Sequence, residues 1–532
     1  MKLQKNNRPP GSSAGPHPRR SIIFHNQRLS PLLLIVAFLA AAALSSCAGE
    51  NDEFDGPRGS LLIAGGAVQS DNQALFSRFI ELAGGSVHAK IAIFPTASGN
   101  PAQSASYYRG IFARYGVPPQ RIVVIPIADR DDAQTTQVDE SYWRLGGISD
   151  RDQVLEFLAG ELAKTRGLAG ASGSSGSGDD GSDEAGDDIR RRLMNDARDL
   201  KRDQGVMGAD EIIRELKGVT GIWFTGGWQG RIRDLLMDQD EEGNWYDGPV
   251  LEEIRRLYHD GAVIGGTSAG AAIMSDPMID GGSSLGALLQ GATEEDPYYD
   301  DRDDRVFLTR GLGFWSEVMA DQHFIERGRF GRLIAAMADR NINLGIGVDE
   351  NTALVVRGGE VEVVGESGAI IIDMSAARIE QLAPMKASGI KLSYIEEKDR
   401  FDYLNYQYYF ADYKDSTLRG DEFYSLRPPV NGNVFAPQAL RYHMIDDLVD
   451  NQTSENFGFA FDDRDLLSGV EPGDGVMLRF YKGQDTNGFW GRKIFSGRAH
   501  FSVYHVYLDI EPTNVNLPGA AAAEDESEGA SE

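Results

Sequence analysis

The stretch AVIGGTSAGAAIM, Ala262 to Met274, decides how this chain folds. A short apolar run ends in glycines, and one small hydroxyl, Ser268, sits among glycines and alanines just beyond it. An apolar run of this length bounded by small residues predicts a buried strand that turns tightly into a helix. The pattern repeats on either side, in LLIAGG (61–66), KIAIFPTAS (90–98), RIVVIPI (121–127), GIWFTGG (221–227) and LGIGVDE (344–350). Between several of these lie amphipathic segments with apolar residues at helical spacing: ALFSRFIELAG (74–84), EIIRELKG (211–218) and VLEEIRRLYHDG (250–261). Strands alternating with helices predict an α/β fold, a mostly parallel sheet with helices on both faces. Ligands of such sheets gather at the carboxyl ends of the strands, which is where Ser268 falls.

Composition bounds the function. A chain of 532 residues that is 41% hydrophobic buries a full core, and its formal net charge of −29 argues against a nucleic-acid or anionic-membrane binder, which needs a basic face. The acidic runs GDDGSDEAGDD (178–188), EEDPYYDDRDD (294–304) and EDESEGASE (524–532) read as solvated surface. The Gly/Ser/Asp-rich segment 168–188 lacks apolar periodicity and reads as a disordered insert within the domain, since strand signals resume after it. From about Arg378 the sequence becomes aromatic and alternating, as in FDYLNYQYYF (401–410) and HFSVYHVYLDI (500–510). That predicts a β-rich C-terminal region over 378–516, followed by a disordered acidic tail, 517–532.

At the amino terminus, arginines precede PLLLIVAFLAAAA, an apolar run of about 13 residues: right for a secretory signal, short for a spanning helix. It ends in LSSC, and Cys47 is the only cysteine, which excludes an intramolecular disulfide or a cysteine-built metal cluster. LSSC resembles the lipobox of bacterial lipoproteins, implying a signal over 1–47, lipid attachment at Cys47 and a polar linker over 48–60. By that resemblance the protein is exported and anchored to the bacterial cell envelope; Ala48 after the cysteine points to the outer membrane.

Gly266-Thr267-Ser268-Ala269-Gly270 fits G-x-S-x-G, the turn that presents a nucleophilic serine, although small residues also occur wherever a helix start packs closely on a sheet. A serine needs a base. Of the eight histidines, His323 in ADQHFIERGRFGRL (320–333) is best placed, with Asp321, Gln322, Arg327, Arg329 and Arg332 around it. On a helix Arg329 and Arg332 share a face, which suggests a clamp for a substrate carboxylate. Asp349 and Glu350 follow another strand, and either suits the role of orienting the imidazole. TGGWQG (225–230) supplies Gln229 and a flexible Gly227, whose N–H could join that of Ala269 in an oxyanion hole.

Four blocks, TGGWQGRI, GGTSAGAAIMS, DQHFIERGRFGRL and GIGVDENTALVV, resemble in order and spacing those of the cyanophycinase family, relatives of aspartyl dipeptidase (peptidase E). The resemblance spans Leu61 to Asp373, giving an expected catalytic domain over 61–377. It implies a class I glutamine-amidotransferase-like fold, Ser268 as nucleophile, His323 as base and Glu350 as third member. It implies substrate binding by Gln229, Asp321, Gln322, Arg327, Arg329 and Arg332, and no cofactor or metal. The implied substrate is cyanophycin, a polyaspartate with arginine on each β-carboxyl, cut to β-Asp-Arg dipeptides. An aspartyl or isoaspartyl dipeptidase, or a non-catalytic binding protein on a hydrolase scaffold, are the alternatives. The expected partners are a polymeric or peptide substrate, a membrane through the lipid anchor only, and a second copy in a homodimer. Trp228, before Gln229, departs from the small or acidic residue expected there.

Overall fold

A computed structural model describes residues 59–125, 209–240, 242–295, 304–417, 421–462, 473–492 and 499–515. The signal segment with Cys47, the insert 168–188 and the tail 517–532 lie outside the described residues, as do most of the linker 48–60 and of the acidic run 294–304. The first part of the chain runs β1 (Ser60–Ala64), α1 (Gln73–Leu82), β2 (Ile91–Phe94), α2 (Pro101–Arg114), β3 (Ile122–Val124), β4 (Gly221–Phe224), α3 (Pro249–His259), β5 (Val263–Thr267) and the short helix α4 (Ala269–Ala272). Next come β6 (Met319–Gln322), α5 (Phe330–Arg340), β7 (Leu344–Val348), β8 (Thr352–Arg357), β9 (Glu360–Gly365) and β10 (Gly368–Asp373). Last are β11 (Lys386–Glu396), β12 (Arg400–Asp402), β13 (Gln407–Tyr409), α6 (Ala439–Met444), β14 (Gly473–Arg492) and β15 (Ala499–Val515).

The first sheet has nine strands in the order β13-β12-β9-β8-β1-β5-β4-β2-β3. It is parallel from β1 through β5, β4 and β2 to β3. Beyond β1 it is antiparallel, so the mostly parallel sheet expected from the sequence describes only one side of it. The cause is local: β8 and β9 are joined at Gly358 (φ 57°) and Gly359 (φ 87°), a pair that closes a tight hairpin, and hairpin partners must run antiparallel. Helices cover both faces. Alternation along the strands sends Leu62, Trp223 and Val263 into one cluster with Phe76 and Phe79 of α1 and Phe112 of α2. Leu61, Ile63, Ile222, Phe224 and Ile264 face the other way, against Leu251 and Ile254 of α3. The helix starts are set by capping: Asn72 and Asn100 accept from Leu75 N–H and Gln103 N–H, and Pro101 opens α2.

The second sheet runs β6-β7-β10-β11-β15-β14, with the two-residue strand Asp415–Ser416 at its edge. Its first pair is parallel, with Asp321 opposite Gly347 and Gln322 opposite Val348. The boundary expected at 377/378 falls within this sheet, because β10 pairs with β11 from Gly368↔Glu396 to Asp373↔Lys391 and β11 pairs with β15. β12 and β13 meanwhile extend the first sheet. The C-terminal region is β-rich as expected, but it completes two sheets begun upstream, and the described residues fall in one compact unit.

Candidate active site

Ser268 follows β5 directly and adopts φ 55°, ψ −112°, a conformation that costs of order 1–3 kcal/mol for a residue with a side chain. Its neighbours show how that turn is tolerated. A Cβ on Gly266 would lie 2.3 Å from the Gly270 carbonyl oxygen, and one on Gly270 would lie 2.5 Å from the Phe224 carbonyl oxygen. Both glycines of G-x-S-x-G are therefore steric requirements of the turn. Ser268 N–H donates to Ala64 O (3.0 Å), tying the turn to the end of β1.

His323 ends β6 as Ser268 ends β5, also with positive φ (49°). Its Nε2 lies 2.9 Å from Ser268 Oγ and its Nδ1 lies 2.5 Å from Glu350 Oε1. The ring packs on the backbone of Gly66, where a Cβ would come within 2.2 Å of it, and His323 N–H donates to Gly65 O (2.6 Å). Glu350 lies in the turn 349–351, by which the chain passes from β7 in the second sheet to β8 in the first. Asn351 (φ 52°) closes that turn with N–H to Gly66 O (2.8 Å), and the Asn72 amide donates to the Asn351 carbonyl (2.9 Å). The three side chains thus meet at the seam between the sheets.

The choice between Asp349 and Glu350 is decided by reach. Glu350 contacts the imidazole, whereas Asp349, almost wholly buried, accepts from Ile325 N–H (3.1 Å), Glu326 N–H (2.9 Å) and Ser367 Oγ–H (2.8 Å). Burial holds the His323 pKa below the ordinary imidazole value. The Glu350 hydrogen bond opposes that shift, and the cations of Arg327 and Arg329 reinforce it. Burial thus favours the neutral imidazole that a base requires.

Gly227 (φ 144°) abuts the Ala97 carbonyl so closely that a Cβ would lie 1.9 Å from its oxygen. Gly226 stands against Ser268, 3.2 Å from its Cβ by the same measure. Among the described residues neither Gly227 N–H nor Ala269 N–H has an acceptor within the protein, so both donors are available at the turns where the sequence placed them.

The surrounding polar residues separate into two groups. Arg332 does not form a clamp with Arg329. It is buried, with Nε and Nη2 on the two oxygens of buried Asp321 (2.8 and 2.6 Å) and Nη1 on Gly282 O (3.0 Å). The helix pattern misled here because α5 begins at Phe330: Arg329 is its cap, outside the helix, and Arg332 points back to the end of β6. Asp321 likewise is spent on Arg332 and on Gln322 N–H (2.8 Å). Gln229 is buried and donates to Ile279 O (2.9 Å). Gln322 is buried too, its side-chain oxygen without a partner among the described residues, while its carbonyl accepts from Arg329 Nη1 (2.8 Å). Arg327 is exposed and Arg329 half-buried, and burial lowers the Arg329 pKa to about 10. Trp228 is 44% exposed with its Nε1–H on Asp280 Oδ1 (3.0 Å).

Ser268 and His323 open onto a cavity of about 480 Å³ whose far wall is Ser98, Asn100, Gln103, Ser104 and Tyr107. Sequence reasoning did not select this wall. The signal was available: these residues follow the strand signal KIAIF, at the same edge as the other loops.

A serine on a strained turn, hydrogen-bonded through histidine to a carboxylate, is the arrangement of a serine hydrolase. No family model matches the chain. Among curated proteins it is 34% identical over 224 residues to the cyanophycinase of Geminocystis herdmanii, covering 40% of this chain and 74% of that one. It is 29% identical over 284 residues to the cyanophycinase of Synechococcus elongatus, covering 49% and 79%. The chain belongs to the cyanophycinase family. A solved peptidase from an acI-B1 actinobacterium superposes with a TM-score of 0.33 at 15% identity, over 65% of this chain and 96% of that one.

Proposed function

We propose that this peptidase hydrolyses cyanophycin to β-Asp-Arg dipeptides through an acyl-enzyme on Ser268, on a scaffold of the class I glutamine-amidotransferase type. The single observation that carries the chemistry is His323 held between Ser268 Oγ at 2.9 Å and Glu350 Oε1 at 2.5 Å. Ser268 Oγ attacks the backbone carbonyl and His323 Nε2 takes its proton. Glu350 accepts Nδ1–H, which fixes the tautomer that leaves Nε2 basic and stabilises the imidazolium once formed. Gly227 and Ala269 N–H groups donate to the oxyanion. His323 returns the proton to the leaving amine, water enters, and the acyl-enzyme is hydrolysed with His323 again as base. Arg327 and Arg329 are the guanidinium groups left to meet the substrate's carboxylates, since Arg332 is committed to Asp321. Family membership at 34% identity supports the polymer as substrate. Export and lipid attachment at Cys47 are part of the proposal, and would put the enzyme where polymer released by other cells is met.

The test is to incubate the protein, begun after Cys47, with insoluble cyanophycin and separately with Asp-X and β-Asp-X dipeptides, beside Ser268→Ala. Dipeptide release from polymer that vanishes in the variant is expected. Cleavage of the free dipeptides alone would move the activity to a dipeptidase, and no turnover of either would reduce the protein to a binding role.

A further inference from the structure

The role of the C-terminal region is open in the sequence, and the active-site scaffold reaches into it at one place. Downstream of His323, the loop 325–329 is tied to the Glu350 turn by Asp349, which takes the N–H groups of Ile325 and Glu326. On its outer side the loop is covered by 434–438. Gly328 (φ 55°) faces Phe435 so closely that a Cβ there would lie 2.1 Å from the Phe435 carbonyl oxygen, and the Phe330 and Phe435 rings pack at 4.9 Å. Gln438 completes the contact. Its N–H donates to Ile325 O (3.1 Å), and its Nε2 donates to Glu326 Oε2 (2.9 Å) and to Asp349 Oδ2 (3.3 Å).

One amide therefore spans the loop that follows the base and the residue that precedes the carboxylate. Gln438 is held for this at a cost, with φ 62° as the cap of α6, where a residue with a side chain is strained. We propose that Gln438 is a positioning residue of the active site, a latch by which the C-terminal region fixes His323 and Glu350 in register with Ser268. Val434, Leu440 and Met444 on either side of Gln438 are buried in one core with Leu392 of β11, Phe480 of β14 and Val506 of β15, which gives that latch a rigid base. Catalytic geometry is sensitive at this scale, since a displacement of about 1 Å costs on the order of 100-fold in rate.

The latch rests on Ser268, His323 and Glu350 acting together, so its test uses a readout independent of substrate identity. A fluorophosphonate reacts with a serine only when its base is in place, and the rate of labelling separates into kinact and KI. Gln438→Gly removes the amide while relieving the positive φ, and Gln438→Met removes it while keeping the bulk. Both variants are expected to lose about tenfold in kinact with KI within twofold and with the thermal midpoint of Gln438→Gly not lowered. Labelling of both at the wild-type kinact would overturn the latch while leaving the triad standing. A wild-type protein not labelled at Ser268 would overturn the triad and the latch together.

Discussion

The two sheets contribute to the site in different ways. The first supplies Ser268 at the end of a parallel strand, on a turn whose shape is dictated within five residues by Gly266 and Gly270. The second supplies His323 and the approach to Glu350 at the ends of a parallel pair, β6 and β7, whose neighbours β10, β11 and β15 come from ever later in the chain. The serine turn is thus a local construction, and the histidine with its carboxylate a long-range one. Truncating the Ser268 side chain should act on the chemistry alone, whereas changes to the long-range contacts on the other side should mix chemistry with stability.

The largest effect tests the junction between the sheets. Glu350→Gln leaves the shape but stabilises the wrong tautomer of His323, and kcat should fall by about 10³–10⁴-fold. Because the Glu350 carboxylate raises the His323 pKa, the acid limb of the remaining kcat/KM profile should move to lower pH; movement upward would count against the assignment. The local side follows. Gly266→Ala forces a methyl against the Gly270 carbonyl, and activity should drop by at least about 100-fold, with the circular dichroism spectrum retained and the unfolding midpoint in urea lowered because the clash is with backbone.

On the long-range side, removing one partner of the Arg332–Asp321 pair leaves a buried charge. Arg332→Met should lower the unfolding free energy by about 3–5 kcal/mol, with the combined Arg332→Met, Asp321→Leu variant recovering much of it. A rise in KM with stability intact would restore Arg332 as a substrate ligand. The smallest effect is at Arg329, whose cation lowers the His323 pKa: Arg329→Met should shift the acid limb upward by less than about one pH unit, reducing activity near pH 6.

The same contrast explains what the sequence made legible. The strand-turn blocks were readable because each is a short buried run with a local turn signal, and Ser268 and Glu350 lie in two of them; His323 was selected by the polar residues around it, and β6 before it was not read as a strand. Arg332 was misread because its partner, Asp321, lies on a strand end and the helix between them starts later than the spacing suggests. Gly65 and Gly66, which carry the His323 ring, were read only as a strand end, since nothing near them in sequence announces an imidazole. The cavity wall from Ser98 to Tyr107 carries no charged residue and no histidine and so attracted no notice. Gln438, Phe435 and the pairing of β10 with β11 depend on contacts tens to hundreds of residues apart, which no local pattern encodes.

The central claim is that Ser268 forms the covalent intermediate with His323 as its base. It is tested most directly by acid-quenching the enzyme during turnover and mapping the acyl group by peptide mass spectrometry. The account predicts a single adduct on Ser268, absent in His323→Ala. An adduct on another residue, or undiminished turnover by Ser268→Ala, would contradict it.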